Sequence, residues 1–307
     1  MSGSIGDGSL SSYYWPIIQL FAPAIITGLA MAASGASTGV LLLLRREALL
    51  ALTLPQVVVL GAAFGLRYLA FDDSAEPSPT AQWLIDHTGW PTLPGAVIAV
   101  VAALLLTAAA RVRRGESAAS SRSGIVLLPS LFVGAICAAV LVVAGGGNHL
   151  IDVQNRFVGA DIAVDVHLAE ISTTALLACG LVAALLWRRW LLMAQAPGIA
   201  RIAGLRPALW DGGFLLLLAT IILVGTNALG AVMVLSLLFL PAATVLPWCR
   251  RVPTAMIAAT ILSLLLYAGG FLLSNAEGFN WPLSHTVGGM GLTVFILSYL
   301  LSLVLTS

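Results

Sequence analysis

Nine apolar runs, each close to 20 residues, fix what this chain can fold into. They lie at roughly 18–44, 48–71, 93–110, 124–146, 168–187, 209–228, 230–248, 254–274 and 285–305. A bilayer core is crossed by about 20 apolar residues in helical form. Backbone groups in hydrocarbon must be satisfied within the segment, so the runs are read as helices. The expected fold is all-α: a polytopic integral membrane protein of about nine transmembrane helices, with eight to ten possible because 209–248 divides in more than one way. The 307 residues form one transmembrane domain. Composition agrees, since only 9% of residues are charged and 60% are hydrophobic. A soluble domain needs about 25% charged residues to cover its surface.

The charges then orient the runs. All fourteen basic residues are Arg. Twelve of them fall in the loops after runs 1, 3, 5 and 7, at 45, 46, 111, 113, 114, 122, 188, 189, 201, 206, 250 and 251. Cytoplasmic loops collect arginine, so the N-terminus is expected outside and the C-terminus inside. Ten of the acids fall on the outer side, while Glu47, Glu116 and Asp211 fall with the arginines. The start, MSGSIGDGSLSSYYWP, lacks the basic region of a signal peptide, and the first run is expected to be retained. The net charge of +1 gives no reason to expect a nucleic-acid partner.

All four histidines map to the outer side or to outer helix ends. External loops collect polar residues of every kind; imidazoles and carboxylates at one mouth also suit a divalent metal. The candidate ligands are His149, Asp152, His167, Glu170 and His285. His167 and Glu170 are the best pair, because i, i+3 spacing puts them on one helical face. Cys137, Cys179 and Cys249 have no metal-type spacing and are read as packing residues.

On the inner side, LLMAQAPGIARIAGLRPALWDG holds Pro197 at a plausible helix start and Gly204 at a stop. Between them Ile199, Ala200 and Ile202, beside Arg201, would give a short helix an apolar face for a membrane surface or a partner's groove. The chain has no phosphate-binding loop, no H-E-x-x-H and no nucleophile elbow. It is therefore expected to be no enzyme and to hold no cofactor. Few ionisable groups sit at mid-membrane depth, which weakens a proton-coupled carrier.

Several stretches, in order along the chain, resemble the ABC-3 family, the permeases of bacterial zinc, manganese and iron ABC importers. GAVMVLSLLFLPAATVLPWCRR (Gly230–Arg251) is similar to the family's G-x-L-L-x-x-A-L-L-x-x-P-A-A-T signature. GVLLLLRREALLALTLPQVVVLG (Gly39–Gly61) is similar to its first-to-second helix turn, APGIARIAGL to its ATPase-docking loop form D-P-E-x-A-x-x-x-G, and RFVGADIAVD more weakly to its F-G-N-I-L segment. The resemblance implies a permease of the inner (plasma) membrane with a coupling loop at 190–208. ATP and magnesium would sit on a separate cytoplasmic ATPase. It also implies an external substrate-binding protein and a dimer with a second copy or a paralogue, working by alternating access.

In the same register the family's Asp falls on Leu52 and its His on Gln56. That pair is associated with metal passage, so the departure matters. An amide is a poor zinc ligand, and Gln56 is not carried over as one. It is expected either to hydrogen-bond across a helix interface, beside a kink at Pro55, or to line the pathway as a weak site. A metal chelate or small organic solute is the alternative cargo, and a secondary transporter without ATPase the alternative class.

Overall fold

A computed structural model describes residues 18–65, 93–114, 122–144, 166–202, 204, 206–276 and 281–306. Among these there are ten helices and no strand: α1 (Ala22–Leu44), α2 (Ala48–Gly65), α3 (Leu93–Arg114), α4 (Arg122–Ala144), α5 (Val166–Gln195), α6 (Pro197–Ile202), α7 (Pro207–Leu229), α8 (Ala231–Val245), α9 (Val252–Ser274) and α10 (Leu283–Thr306). Six of them, α1, α2, α5, α7, α9 and α10, are long and apolar enough to cross a membrane. Shorter apolar stretches lie in α3, α4 and α8. Every expected run thus carries a helix, six of them long and apolar enough to cross a membrane, and α6 occupies the loop where a short helix was expected.

The 209–248 stretch divides at one residue. Gly230 has φ +86° and ψ 156°, backbone that is essentially open only to glycine, and it joins α7 to α8 directly. Gly225 lies against Val234 across the resulting corner.

α1 is the central helix. It packs most extensively on α5, then on α9 and α8, and also touches α7. Its composition explains this. In lipid a leucine gains little by leaving hydrocarbon for another helix, so close contacts are made by small residues. Ser34 meets Gly180 of α5, Gly39 meets the Leu238 backbone of α8, and Gly28 lies under the Tyr267 ring of α9. The hydroxyls of Thr27, Ser34 and Thr38 donate to carbonyls four residues back, so their polarity is satisfied inside the helix.

α1 and α5 run parallel in a near-constant register. The Thr27 and Thr173 hydroxyls meet at 3.3 Å, Ser34 faces Gly180, and Arg45 reaches Trp190. α9 is antiparallel to α1, its Tyr267 hydroxyl donating to Ala24 O at 3.0 Å. α2, α3 and α4 form a second group, with Gly61 and Gly95 packed backbone to backbone between α2 and α3. The alternating directions bring the ends of α1, α3, α5 and α8 to one end of the bundle. Arg45, Arg46, Arg188, Arg189, Arg206, Arg250 and Arg251 share that end with α6. Of the cysteines, Cys179 and Cys249 pack against the core, while Cys137 is exposed.

Candidate coupling end and transport path

α1 stops in a tight left-handed turn. Arg46 has φ +59°, the Arg46 N–H donates to Leu43 O at 3.1 Å, and the Glu47 N–H donates to Leu42 O at 3.2 Å. This pairing satisfies the last carbonyls of a helix, with glycine the usual occupant of the left-handed position. An arginine there costs about 1 kcal/mol, which the surrounding contacts must offset.

Those contacts centre on the preceding residue. Arg45 lies at the carbonyl end of α1, where a cation is favoured, and its side chain is 2% exposed. Its Nη1 donates to the Trp190 carbonyl of α5 at 3.1 Å, and its Nη2 donates to Asp211 Oδ1 of α7. The same Nη2 is 3.5 Å from Glu47 Oε1. Its guanidinium also stands 4.5 Å from the Phe214 ring centroid. Trp190 closes the set: its Nε1 donates to Trp210 O at 3.1 Å, and its ring meets Phe214 edge-on at 5.5 Å. Outside this cluster Arg188 lies over Trp187 and Arg189 over Trp210.

Sequence reasoning placed Arg45 and Arg46 together in an inner turn but missed that they part company, Arg46 exposed and Arg45 buried. A signal was available. Two of the three acids that fall on the arginine side, Glu47 and Asp211, are the pair that faces Arg45, Glu47 buried and Asp211 half-buried.

α6 follows α5 after one residue. Ile199 is 62% exposed and Ile202 is 89% exposed, while Ala200 is buried against the bundle. Pro197 and Arg201 lie within the helix, and Gly204, at φ +77°, turns the chain toward α7. Two large apolar side chains therefore project from the arginine-rich end.

In α2, Leu52 is exposed and Gln56 half-buried, four residues apart and so on one face. The helix runs unbroken through Pro55, which is buried. Among the described residues no side-chain hydrogen bond runs from Gln56. The cross-helix bond comes from Thr53 instead, whose hydroxyl is shared between Leu49 O at 2.8 Å and Leu128 O of α4 at 3.1 Å.

A groove of about 530 Å³ opens between α1, α5 and α9. Its polar lining is limited to Ser34, Ser37, Thr260 and the Trp187 indole. The hydroxyls of Ser34 and Ser37 already donate to backbone carbonyls. No His, Cys, Asp or Glu lines it, so the groove itself offers no ligand set for a transition metal.

The opposite end carries the expected metal candidates. His167 and Glu170 lie exposed in the first turns of α5, and His285 lies exposed in the first turn of α10, its Nδ1 3.1 Å from Ser284 Oγ. His149 and Asp152 fall outside the described residues. Among the described residues no three His, Cys, Asp or Glu side chains gather closely enough to hold an ion.

The comparisons with known proteins follow the same lines. In fold the chain is similar to PsaBC from Streptococcus pneumoniae in complex with Fab, with a TM-score of 0.72 over 94% of this chain and 95% of that one. Identity is 15%, so the likeness concerns the fold. No curated protein matches the sequence at a significant level. The profile of the ABC 3 transport family matches residues 17–305, nearly the whole chain. An apolar multi-helix bundle, a short exposed helix at its arginine-rich end and a family match of that extent lead to one statement: the chain is a multi-pass membrane transport protein of the ABC 3 transport family.

Proposed function

We propose that the chain is the permease of an ATP-driven importer of a divalent transition metal, zinc or manganese ahead of iron. It sits in the bacterial inner membrane as a dimer of two copies or of paralogues. An external binding protein delivers the ion, and a cytoplasmic ATPase, with its ATP and magnesium, drives alternating access. One observation supports this reading above the others. α6 exposes Ile199 and Ile202 at the arginine-rich end although it is too short to cross or anchor in a bilayer. Such a pair of anchors suits the apolar groove of a partner. Closure of an ATPase pair would push on α6, and α5 and α7, which hold it, would carry the movement into the bundle.

His167 and Glu170, with His285, His149 and Asp152, are the groups we assign to ion entry at the outer mouth. Gln56 would line the path as a weak, readily released contact. A second reading keeps the machine and changes the cargo to a metal chelate or small organic solute. Leu52 and Gln56 in place of acid and imidazole, and the apolar groove, favour it.

The test is reconstitution. The purified chain alone should hydrolyse no ATP, and hydrolysis should respond to the permease once the ATPase is added. Ile199→Asp with Ile202→Asp should abolish that response, because charge would enter an apolar groove without a counter-ion. Unchanged stimulation and uptake in this variant would remove α6 from the mechanism.

A further inference from the structure

The ion cluster at the arginine-rich end ties together three segments distant in sequence, at Arg45–Glu47, Trp190 and Trp210–Phe214. α6 has six residues, and its packing partners are the end of α5 and the start of α7. Any load on α6 therefore enters those two arms. The arms are tied to each other by Trp190 Nε1 on Trp210 O and by the Trp190–Phe214 contact. Both are tied to α1 through Arg45, by way of the Trp190 carbonyl, Asp211 and the Phe214 face. Through Glu47 the same guanidinium holds the first residue before α2. Leu52 and Gln56 follow within the first nine residues of α2.

We propose that Arg45, Glu47 and Asp211 form the joint that passes movement of α6 to α1 and α2, acting as positioning residues for transport. This rests on α6 being the docking helix. The chemistry favours a joint over a mere filler. A buried ion network is no better a source of stability than apolar side chains of the same volume, because desolvation offsets the attraction. What it adds is direction. A planar guanidinium with donors committed to α5 and α7, and one face on Phe214, holds three helices at set angles. If α5 and α7 shift, the guanidinium must follow or leave a buried charge unpaired, so α1 and the turn into α2 are drawn along.

The experiment uses the permease reconstituted in vesicles with its ATPase and binding protein. Zinc and manganese serve as probes, and ions moved are measured per ATP hydrolysed. The unaltered complex is measured first; if it moves neither ion under ATP, the functional reading fails and not the joint. The triple variant Arg45→Met, Glu47→Leu, Asp211→Leu removes all three charges together, leaving none unpaired. It should reach the membrane and bind the ATPase as the unaltered chain does. ATP hydrolysis should stay within about twofold, while ions moved per ATP fall about tenfold, an ordinary size for coupling between two sites. A triple variant with the native ratio overturns the proposal, as does one in which hydrolysis and transport fall in proportion. Asp211→Asn provides the same reading if the triple variant is poorly made, since Asp211 is the most exposed of the three at 27%. Asp211→Glu should restore the ratio; failure to do so, with a normal membrane level, also overturns the proposal.

Discussion

α1 and α10 are nearly the same length, 23 and 24 residues, and both are apolar enough to cross a bilayer. Yet 72% of the span of α1 is buried within the bundle, against 11% for α10. Hydropathy does not separate them, since α10 is the more apolar of the two. Small residues do. α1 carries Gly28, Gly35 and Gly39 along its length with serine and alanine between, and each glycine has a neighbour that a side chain would strike. In α10 the packed glycines are Gly288 and Gly291, near the start, and beyond them Leu297, Leu300, Leu301 and Val304 face outward. In a bilayer, a run of leucines marks a helix that can stay in lipid, and a run of glycine, alanine and serine marks one that must be surrounded.

Three measurements would break or sharpen this contrast. The largest effect is expected from Gly39→Leu, which drives a side chain into the Leu238 carbonyl and Ala242. Overpacking of this kind should cost about 3 kcal/mol, read as a lowered thermal midpoint of the purified protein in detergent. Gly289→Leu in α10 is the matching control, because no atom lies within 4 Å of the added carbon. Equal losses in the two variants would end the comparison. A smaller effect is expected from Tyr267→Phe, which removes one buried hydrogen bond to α1. It should cost about 1 kcal/mol in the same assay, and no change would mean that shape alone fixes α9 on α1. The smallest belongs to Leu297→Ala and Leu300→Ala, both exposed. Each should change stability by less than about 0.5 kcal/mol. A markedly larger loss would show that a second copy covers this face of α10 in the assembled protein.

The helices were legible because a twenty-residue apolar run has one solution in lipid. Even α6 was announced by Pro197 and Gly204, and the exposed face of Ile199 and Ile202 by their spacing. What could not be read was which neighbour lies on which face of the central helix. Nothing in the 3.6-residue pattern of α1 distinguishes a face for α5 from faces for α8 or α9, since nearly every face is used. Arg45 was hidden for another reason. In the sequence it is one of two adjacent arginines, and only the left-handed turn at Arg46 sends one side chain inward and the other to water. Gln56 shows the limit of reasoning by residue type: a neutral amide in an apolar run asks for a partner, and the structure gives the cross-helix bond to Thr53 instead.

The central position of α1 also imposes a schedule. The hydrogen bond from Tyr267 to Ala24 spans 243 residues, and at about 5–20 residues per second a ribosome needs roughly 12–50 s to cover that distance. For most of that interval α1 has been made, while α8, α9 and at first α5 do not exist. The helix whose small residues call for neighbours on most sides is made before the other described helices and is among the last to be enclosed. Its notches for Tyr267 and Leu238 stand open to lipid in the meantime, and its hydroxyls can wait there because they are already bonded within their own turn.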